Sequence, residues 1–222
     1  MASMYTFSKA ALWWPGIILV YLLGVGVTYA DAPTMETELQ VLAWLSAMRS
    51  KSSDRLFLIV TMAGSNIVLL PLALLAVVKL VRGRMIRAAM FLSSATMGAS
   101  LLANVGKHLI ARPRPTAFPL VSDLPSGFSF PSGHASQITA FVLAALLLLR
   151  NNPLLARWFA PCAWTGGAFI AVVALSRLYL QVHYPSDVLA GILLGLCWVM
   201  GLTGTLPPSS CAFDVATKHH EK

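Results

Sequence analysis

Long apolar runs separated by short polar segments dominate the pattern along this chain. A helix that crosses a bilayer needs about 20 apolar residues, and six runs approach that length. The predicted spans are residues 12–29, 56–80, 85–111, 134–149, 158–177 and 187–206. No internal repeat or linker divides them. The pattern therefore predicts an all-α integral membrane protein, a bundle of six transmembrane helices that forms a single domain over residues 1–222.

A segment between the first two runs has an amphipathic pattern at helical spacing. Thr34 is the predicted N-cap, with Glu36 and Glu38 in the first turn, where carboxylates favour a helix N-terminus. One helical face of segment 34–48 carries four apolar residues: Val41, Trp44, Leu45 and Met48. This pattern predicts an interfacial helix on the outer surface, which serves either as a packing lid or as a substrate gate.

Small residues mark the predicted contact face of the last span. Gly191 and Gly195 have the GxxxG spacing that lets helix backbones approach closely. We expect this face to pack inside the bundle instead of forming a dimer interface.

Composition supports the membrane assignment and excludes other classes. Of the 222 residues, 57% are hydrophobic and 11% are charged, whereas about 25% are charged in an ordinary soluble domain. The formal net charge is +8, but the basic residues are scattered at the ends of apolar runs and form no nucleic-acid motif. Nucleic acid is therefore excluded as a partner. The three cysteines have neither metal-binding nor disulfide-framework spacing.

The distribution of Lys and Arg predicts the orientation, because positive residues favour cytoplasmic loops. The loops after the second and fourth spans are basic; their residues are Lys79, Arg82, Arg84, Arg87, Arg150 and Arg157. We therefore expect both chain ends, including the tail 207–222, in the cytoplasm. Segments 30–55, 112–133 and 178–186 then face the periplasm or the exterior. The first span is either retained or removed as a signal peptide.

Two cations lie where the third span meets this outer face. Pro113 disfavours helical geometry at Arg112, so the span is predicted to end near Ala111, with Lys107 in its last turn. Arg114 stands between two prolines, and a guanidinium held in this way suits bidentate binding of phosphate. Lys107 alone would equally well complement the helix dipole.

A predicted helix start lies on the same face. Ser132, Gly133 and His134 open the fourth span. The free N–H groups of a helix N-terminus bind anions, and glycine permits close backbone approach. The alternative is that Ser132 merely caps the helix while His134 reaches the interface.

A histidine and a carboxylate precede the last span. His183 and Asp187 are four residues apart, which allows a hydrogen bond that orients the imidazole ring. Arg177 ends the fifth span on the same face. Ionisable groups at the edge of an apolar span are costly and indicate a functional site. A local helix cap with an ion pair is the alternative for this stretch alone.

The three stretches together bring three cations, two histidines, one carboxylate and a helix N-terminus to one face. One carboxylate is too few for a Mg²⁺ site, and two histidines among three cations would repel Zn²⁺, so no metal and no cofactor is predicted. Phosphoryl transfer needs fixed positive groups around the developing charge. The residues thus predict phosphate chemistry, without showing which histidine attacks phosphorus.

The three stretches resemble the signature of the type 2 phosphatidic acid phosphatase (PAP2) superfamily. The matching positions are Lys107, Arg114, Pro115, Pro131, Ser132, Gly133, His134, Ser176, Arg177, His183 and Asp187. The resemblance implies that His183 is the nucleophile, that Asp187 orients it, and that His134 protonates the leaving oxygen and then activates water. It also implies which residues bind the phosphate; these are Lys107, Arg114, Arg177, Ser132 and Gly133.

The resemblance further implies a metal-independent phosphatase of the bacterial inner membrane, with a motif core at 107–187. It would remove the terminal phosphate of a lipid phosphate or diphosphate through a phosphohistidine, with undecaprenyl diphosphate or phosphatidylglycerol phosphate favoured. A lipid A phosphatase or a lipid-to-lipid phosphotransferase is the alternative. An inactive lipid-binding membrane protein is the alternative of another class. The expected partners are the lipid substrate and the bilayer, and the oligomeric state stays open.

Overall fold

The computed structural model of the protein describes residues 13–29, 32–121 and 124–208, and this part of the chain is all-helical. The α-helices are α1 (Trp13–Thr28), α2 (Ala32–Ala47), α3 (Lys51–Met62), α4 (Asn66–Arg82), α5 (Ile86–Ile110), α6 (Gly133–Arg150), α7 (Phe159–Tyr179) and α8 (Pro185–Thr205). A short 3₁₀ turn, Ala156–Trp158, precedes α7. The predicted tail beyond residue 208 lies outside the described residues.

Five helical stretches are long and apolar enough to cross a membrane. They are Lys51–Arg82, Ile86–Ile110, Gly133–Arg150, Ala156–Tyr179 and Pro185–Thr205. Each contains or closely matches one predicted span, and the bundle class is confirmed. Helix α1 is apolar but has only 16 residues in the described part of the chain.

The second predicted span is interrupted, contrary to the expectation of one continuous helix. Helix α3 ends at Met62 and α4 begins at Asn66. Gly64 lies in the break against α6 and α7, because a methyl group placed on it would lie 2.6 Å from Val173 Cγ1 and 3.4 Å from two side-chain atoms of His134. The break therefore lets the chain pass close to a predicted site residue.

Helices α6 and α8 pack with almost touching backbones. A methyl group on Gly191 would lie 2.5 Å from the Ser132 carbonyl oxygen, and one on Gly195 would lie 2.6 Å from the Ser136 carbonyl oxygen. The expected close packing of this GxxxG face inside the bundle is confirmed. It fixes the start of α6 against the start of α8, where two of the three motif stretches lie.

Helix α2 is present as expected, but it starts earlier than predicted, and a carboxylate is among its buried side chains. The helix already includes Ala32, so the N-cap role of Thr34 is wrong. Its buried side chains are Glu38, Leu42 and Leu45. Trp44 is 62% exposed and turns away from the bundle. The packed face is set by Glu38, whose carboxylate forms an ion pair with Arg112. The interfacial position of α2 stays a prediction.

Candidate active site

The end of α5 turns the first motif stretch towards the site. Ala111 adopts a left-handed conformation, with φ at 52°, and its N–H donates to the Lys107 carbonyl. Pro113 cannot continue a helix and restricts the residue before it. The predicted helix end near Ala111 is confirmed, and the reversal brings Lys107 and Arg114 to the same cavity.

Backbone carbonyls, and not carboxylates, hold these two cations. Lys107 Nζ donates to the Phe128 carbonyl at 2.7 Å. Arg114 donates from Nε to the Gly127 carbonyl at 3.0 Å and from Nη1 to the Val182 carbonyl at 2.8 Å. Burial lowers the pKa of Arg114 from its ordinary value, and the Asp187 carboxylate opposes this shift. Because a carbonyl carries no net charge, these partners do not neutralise the two cations, which leaves their charge available to an anionic ligand.

The third cation reaches the site from the end of α7. Arg177 is buried, and its Nη1 donates to the hydroxyl of Thr61 on α3. Its Nε is buried and has no hydrogen-bond partner among the described residues. A buried donor of this kind is normally satisfied, so the free N–H suits an acceptor inside the cavity.

His183 and Asp187 are adjacent and almost fully buried. Nδ1 of His183 lies 3.5 Å from Oδ2 of Asp187, a long contact for a hydrogen bond. The other ring nitrogen, Nε2, lies 3.4 Å from Nη1 of Arg114. The ring therefore presents one nitrogen to the Asp187 carboxylate and the other to the Arg114 guanidinium.

Burial determines the protonation state of His183. It lowers the pKa of His183 to about 3, and the neighbouring Asp187 only partly opposes this effect. The ring is therefore neutral at neutral pH. A neutral imidazole keeps the nitrogen lone pair that a nucleophile needs.

The second motif stretch is joined to the third by the backbone. The Ser132 N–H donates to the Asp187 carbonyl at 2.9 Å. The Ser132 side chain does not cap α6, and its buried Oγ has no partner in the described part of the chain. The capping alternative for Ser132 is therefore wrong.

Six of the eight predicted site residues line one cavity of about 170 Å³. They are Lys107, Arg114, Gly133, His134, Arg177 and His183. Ser132 and Asp187 are not among its lining residues and are fully buried beside it. Two other cavities, of about 260 and 510 Å³, have no charged side chain among the residues that line them.

Three amide side chains in this cavity were missed by the sequence reasoning. Asn104 on α5 lies one turn before Lys107, and Gln137 on α6 lies one turn after His134. Helical spacing from the motif residues would have found both. Asn66, which starts α4, lines the cavity because of the helix break, and no sequence signal indicated that break.

Arg112 was also missed, although it contacts the site directly. It is 1% exposed and donates from Nη1 to Oδ1 of Asp187 at 2.7 Å. Its other terminal nitrogen pairs with Glu38.

The described residues contain no candidate metal site. Within these ranges, no group of three or more His, Cys, Asp or Glu residues could hold an ion.

Comparison with known proteins settles the family. The sequence profile of the PAP2 superfamily matches residues 88–209, more than half of the chain. The chain belongs to the PAP2 superfamily. This match runs from the first turn of α5 past the end of α8 and includes every motif residue.

Curated relatives are lipid phosphatases by name. Phosphatidylglycerophosphatase B of Bacillus subtilis is 39% identical over 97 residues, which cover 43% of this chain and 47% of that protein. An undecaprenyl-diphosphatase of Sulfolobus acidocaldarius is 37% identical over 110 residues, which cover 47% of this chain and 48% of that protein. The matches thus span about half the length of these relatives.

A solved structure extends the likeness to most of the fold. The crystal structure of a transmembrane PAP2 type phosphatidylglycerolphosphate phosphatase from Bacillus subtilis has a TM-score of 0.76 and 26% sequence identity. The match covers 85% of this chain and 93% of that chain. The helical bundle described above is therefore a PAP2 membrane fold, and the protein is a multi-pass membrane protein.

Proposed function

We propose that this PAP2 protein is a lipid phosphatase that removes the terminal phosphate of a lipid phosphate or diphosphate through a phosphohistidine. One observation carries the proposal: three cations and a neutral, buried imidazole backed by a carboxylate converge on one cavity. The cations have no ion-pair partner in the described part of the chain, so the cavity favours an anion. The names of the relatives support a phosphate ester or diphosphate of a lipid.

In this proposal the cations bind the phosphate oxygens before any bond breaks. Lys107, Arg114 and Arg177 surround the cavity and balance the charge that develops on the phosphoryl oxygens. The Ser132 hydroxyl and the Gly133 amide complete the cradle at the N-terminus of α6. The Arg177 Nε is an unpartnered donor on a cavity-lining residue that a phosphate oxygen would satisfy, and the unpartnered Ser132 Oγ lies beside the cavity.

The proposed reaction has two steps. Nε2 of His183 attacks phosphorus, the bond from phosphorus to the leaving oxygen breaks, and His134 gives that oxygen a proton. His134 then takes a proton from water, whose oxygen attacks phosphorus and breaks the bond to His183. Asp187 faces Nδ1 and stabilises the positive charge that the ring carries while it holds phosphate. No step requires a metal ion or a cofactor.

The favoured substrates are undecaprenyl diphosphate and phosphatidylglycerol phosphate, and lipid A is the alternative. Phosphotransfer would differ from hydrolysis only in the acceptor, a lipid instead of water, that attacks the phosphohistidine. We propose that the chain is one domain in the bacterial inner membrane with both ends in the cytoplasm. The cavity then faces the periplasm or the exterior, in keeping with the basic loops at the other end of the bundle.

Phosphate release from a lipid panel tests the proposal. Purified protein in detergent with EDTA should release phosphate from at least one of the three lipids named above. His183→Ala should lower kcat by about 1,000-fold or more, because the nucleophile is removed. His108→Ala is the matched control, since His108 is exposed one residue from Lys107, and it should keep full activity.

The outcomes separate the alternatives. Activity that disappears in EDTA and returns with a divalent metal would contradict the metal-free reaction. Retained activity in His183→Ala would remove His183 as the nucleophile. Binding of these lipids without any release of phosphate by the unmodified protein would favour the inactive lipid-binding alternative.

A further inference from the structure

A buried arginine outside the phosphate-binding set joins two carboxylates beside the cavity. Arg112 is 1% exposed. Its Nη1 donates to Oδ1 of Asp187 at 2.7 Å, and its Nη2 pairs with Oε2 of Glu38 on α2. Arg112 does not line the cavity, so it is placed to act on the carboxylate and not on the substrate.

The guanidinium is held in one orientation. It lies 4.1 Å above the ring of Tyr184, measured from its central carbon to the ring centroid. Nη1 also donates to the Ser186 hydroxyl at 2.7 Å. Glu38 accepts the Ser186 N–H at 3.0 Å as well. The start of α8 is therefore fastened to α2 and to Arg112 by hydrogen bonds to charged groups.

These contacts fix the rotation of the Asp187 carboxylate. Oδ1 accepts from Arg112, and Oδ2 accepts the Tyr184 N–H at 2.9 Å. That arrangement leaves Oδ2 facing Nδ1 of His183 at 3.5 Å. Without Arg112, one oxygen of a fully buried carboxylate would lose its partner. The carboxylate would then turn or take up a proton to avoid an uncompensated buried charge.

We propose that Arg112 is a positioning residue for phosphoryl transfer, and that Glu38 holds Arg112 in place so that α2 becomes part of the catalytic apparatus. The chain of contacts runs from Glu38 through Arg112 and Asp187 to His183. This inference rests on the proposed function, because it assigns Arg112 a role in the attack by His183. It predicts an effect on the chemical step and not on lipid binding.

The central test measures kcat and KM separately in detergent micelles. Arg112→Met should lower kcat by about 100-fold or more while KM changes by less than about threefold, the pattern of an interaction made only in the transition state. Arg112→Lys should recover at least about tenfold of that loss, because an ammonium group can still donate to Asp187. A rise in KM with unchanged kcat would overturn the proposal.

Glu38 gives a second, milder test. Glu38→Gln keeps an acceptor for Ser186 but removes the charge that holds Arg112, so kcat should fall by about 5-fold to 10-fold. In the double variant with Arg112→Met, kcat should be no lower than in Arg112→Met alone, because residues in one network are not additive. Independent losses that multiply would overturn the role assigned to Glu38.

Arg49 supplies the matched control. Arg49 follows α2 and, like Arg112, forms an ion pair, from its Nε to Oδ1 of Asp54 at 3.3 Å, but that pair is partly exposed and does not contact Asp187. Arg49→Met should leave kcat within about twofold of the unmodified protein, since exposed pairs contribute little. An equal loss of kcat in Arg49→Met would show that any disturbance near α2 lowers activity, and would overturn the specific role of Arg112.

Folding is monitored by gel filtration and thermal unfolding of each variant. If Arg112→Met does not fold, Arg112→Lys and Glu38→Gln decide the question by their kcat values. Unchanged kcat in both of them, in an active parent protein, would overturn this inference alone. A parent protein that releases no phosphate from any lipid would overturn the proposed function and this inference with it.

Discussion

Neutral carbonyl groups hold two of the three cations of this site, and their neutrality has an electrostatic consequence. Lys107 and Arg114 donate to the carbonyls of Phe128, Gly127 and Val182. Carboxylate partners would have cancelled the charge and competed with phosphate. The one carboxylate in the motif, Asp187, is instead paired with Arg112 behind His183. Asp187 thus faces one ring nitrogen of His183, and the unpaired cation Arg114 faces the other.

The protonation state of His183 leads to a prediction at this scale. Because burial lowers the pKa of His183 to about 3, the ring should stay neutral from pH 8 down to about pH 5, where an ordinary histidine with a pKa of about 6.5 is mostly charged. Ring nitrogen chemical shifts of ¹⁵N-histidine-labelled protein, assigned with His183→Gln, would measure this. A midpoint near pH 6.5 for His183 would contradict it.

The low pKa of His183 in the folded protein also predicts how the free energy of unfolding changes with pH. The unfolded chain binds a proton at His183 below about pH 6.5, whereas the folded chain does so only near pH 3. The free energy of unfolding should therefore fall as the pH drops from 6.5 towards 3. His183→Gln, which cannot titrate, should lose less thermal stability than the unmodified protein over this range.

Sequence spacing predicted the residues that line the cavity better than it predicted the residues that hold them in place. Six of eight predicted residues line one cavity, because each motif stretch lies at a helix end that faces the same way. Arg112 and Glu38 were not predicted as a pair, since 74 residues separate them in sequence. Their contact depends on how α2 docks, and local spacing carries no information about that docking.

At the scale of elements, the close contact between α6 and α8 depends on two positions of α8 that lack a side chain, Gly191 and Gly195. Gly191 lies against the carbonyl group of Ser132. Ser132 precedes α6 and carries one of the proposed phosphate contacts. Any side chain at position 191 would push the two helix starts apart. Stability and the shape of the cavity are therefore coupled through this one glycine.

Gly191→Ala tests that coupling. The added methyl group would lie 2.5 Å from a backbone carbonyl oxygen, and overpacking of this kind costs about 1–3 kcal/mol, so the melting temperature and the activity should both fall. Gly167→Ala is the control, because its methyl group would have no neighbour within 4 Å. Equal melting temperatures for the two variants would contradict the packing argument.

The elements that sequence predicted well are those defined by length and polarity. Apolar run lengths located the spans from 85 to 206 to within about three residues, because a bilayer imposes a minimum length on each helix. The break at residues 63–65 was not predicted, since Gly64 and its neighbours interrupt neither the apolar run nor its length. The burial of Glu38 on α2 was not predicted, because its partner Arg112 is distant in sequence.

At the scale of the whole molecule, the candidate site lies at one end of the helical bundle and a group of basic residues lies at the other. The site residues lie where α5 and α7 end and where α6 and α8 begin. The opposite ends of these helices carry the basic residues that predicted the orientation: Lys79, Arg82, Arg84, Arg87, Arg150 and Arg157. One end of the bundle therefore holds the candidate site, and the other resembles a cytoplasmic surface.

Cysteine labelling tests the proposed orientation. In a background without Cys162, Cys197 and Cys211, a membrane-impermeant maleimide should label Leu124→Cys in intact spheroplasts. It should label Arg84→Cys only after the membrane is permeabilised. Both positions lie in loops outside the helices. The opposite labelling pattern would contradict the orientation and place the cavity in the cytoplasm.

The three cations without carboxylate partners also bear on how the enzyme would be controlled. Inorganic phosphate, the proposed product, carries the same oxygens that Lys107, Arg114 and Arg177 are arranged to hold. We therefore expect the product to leave slowly and to compete with the lipid. The rate would then respond to the phosphate content of the surrounding medium. The proposed reaction would therefore be slower in a phosphate-rich medium than in a phosphate-poor one.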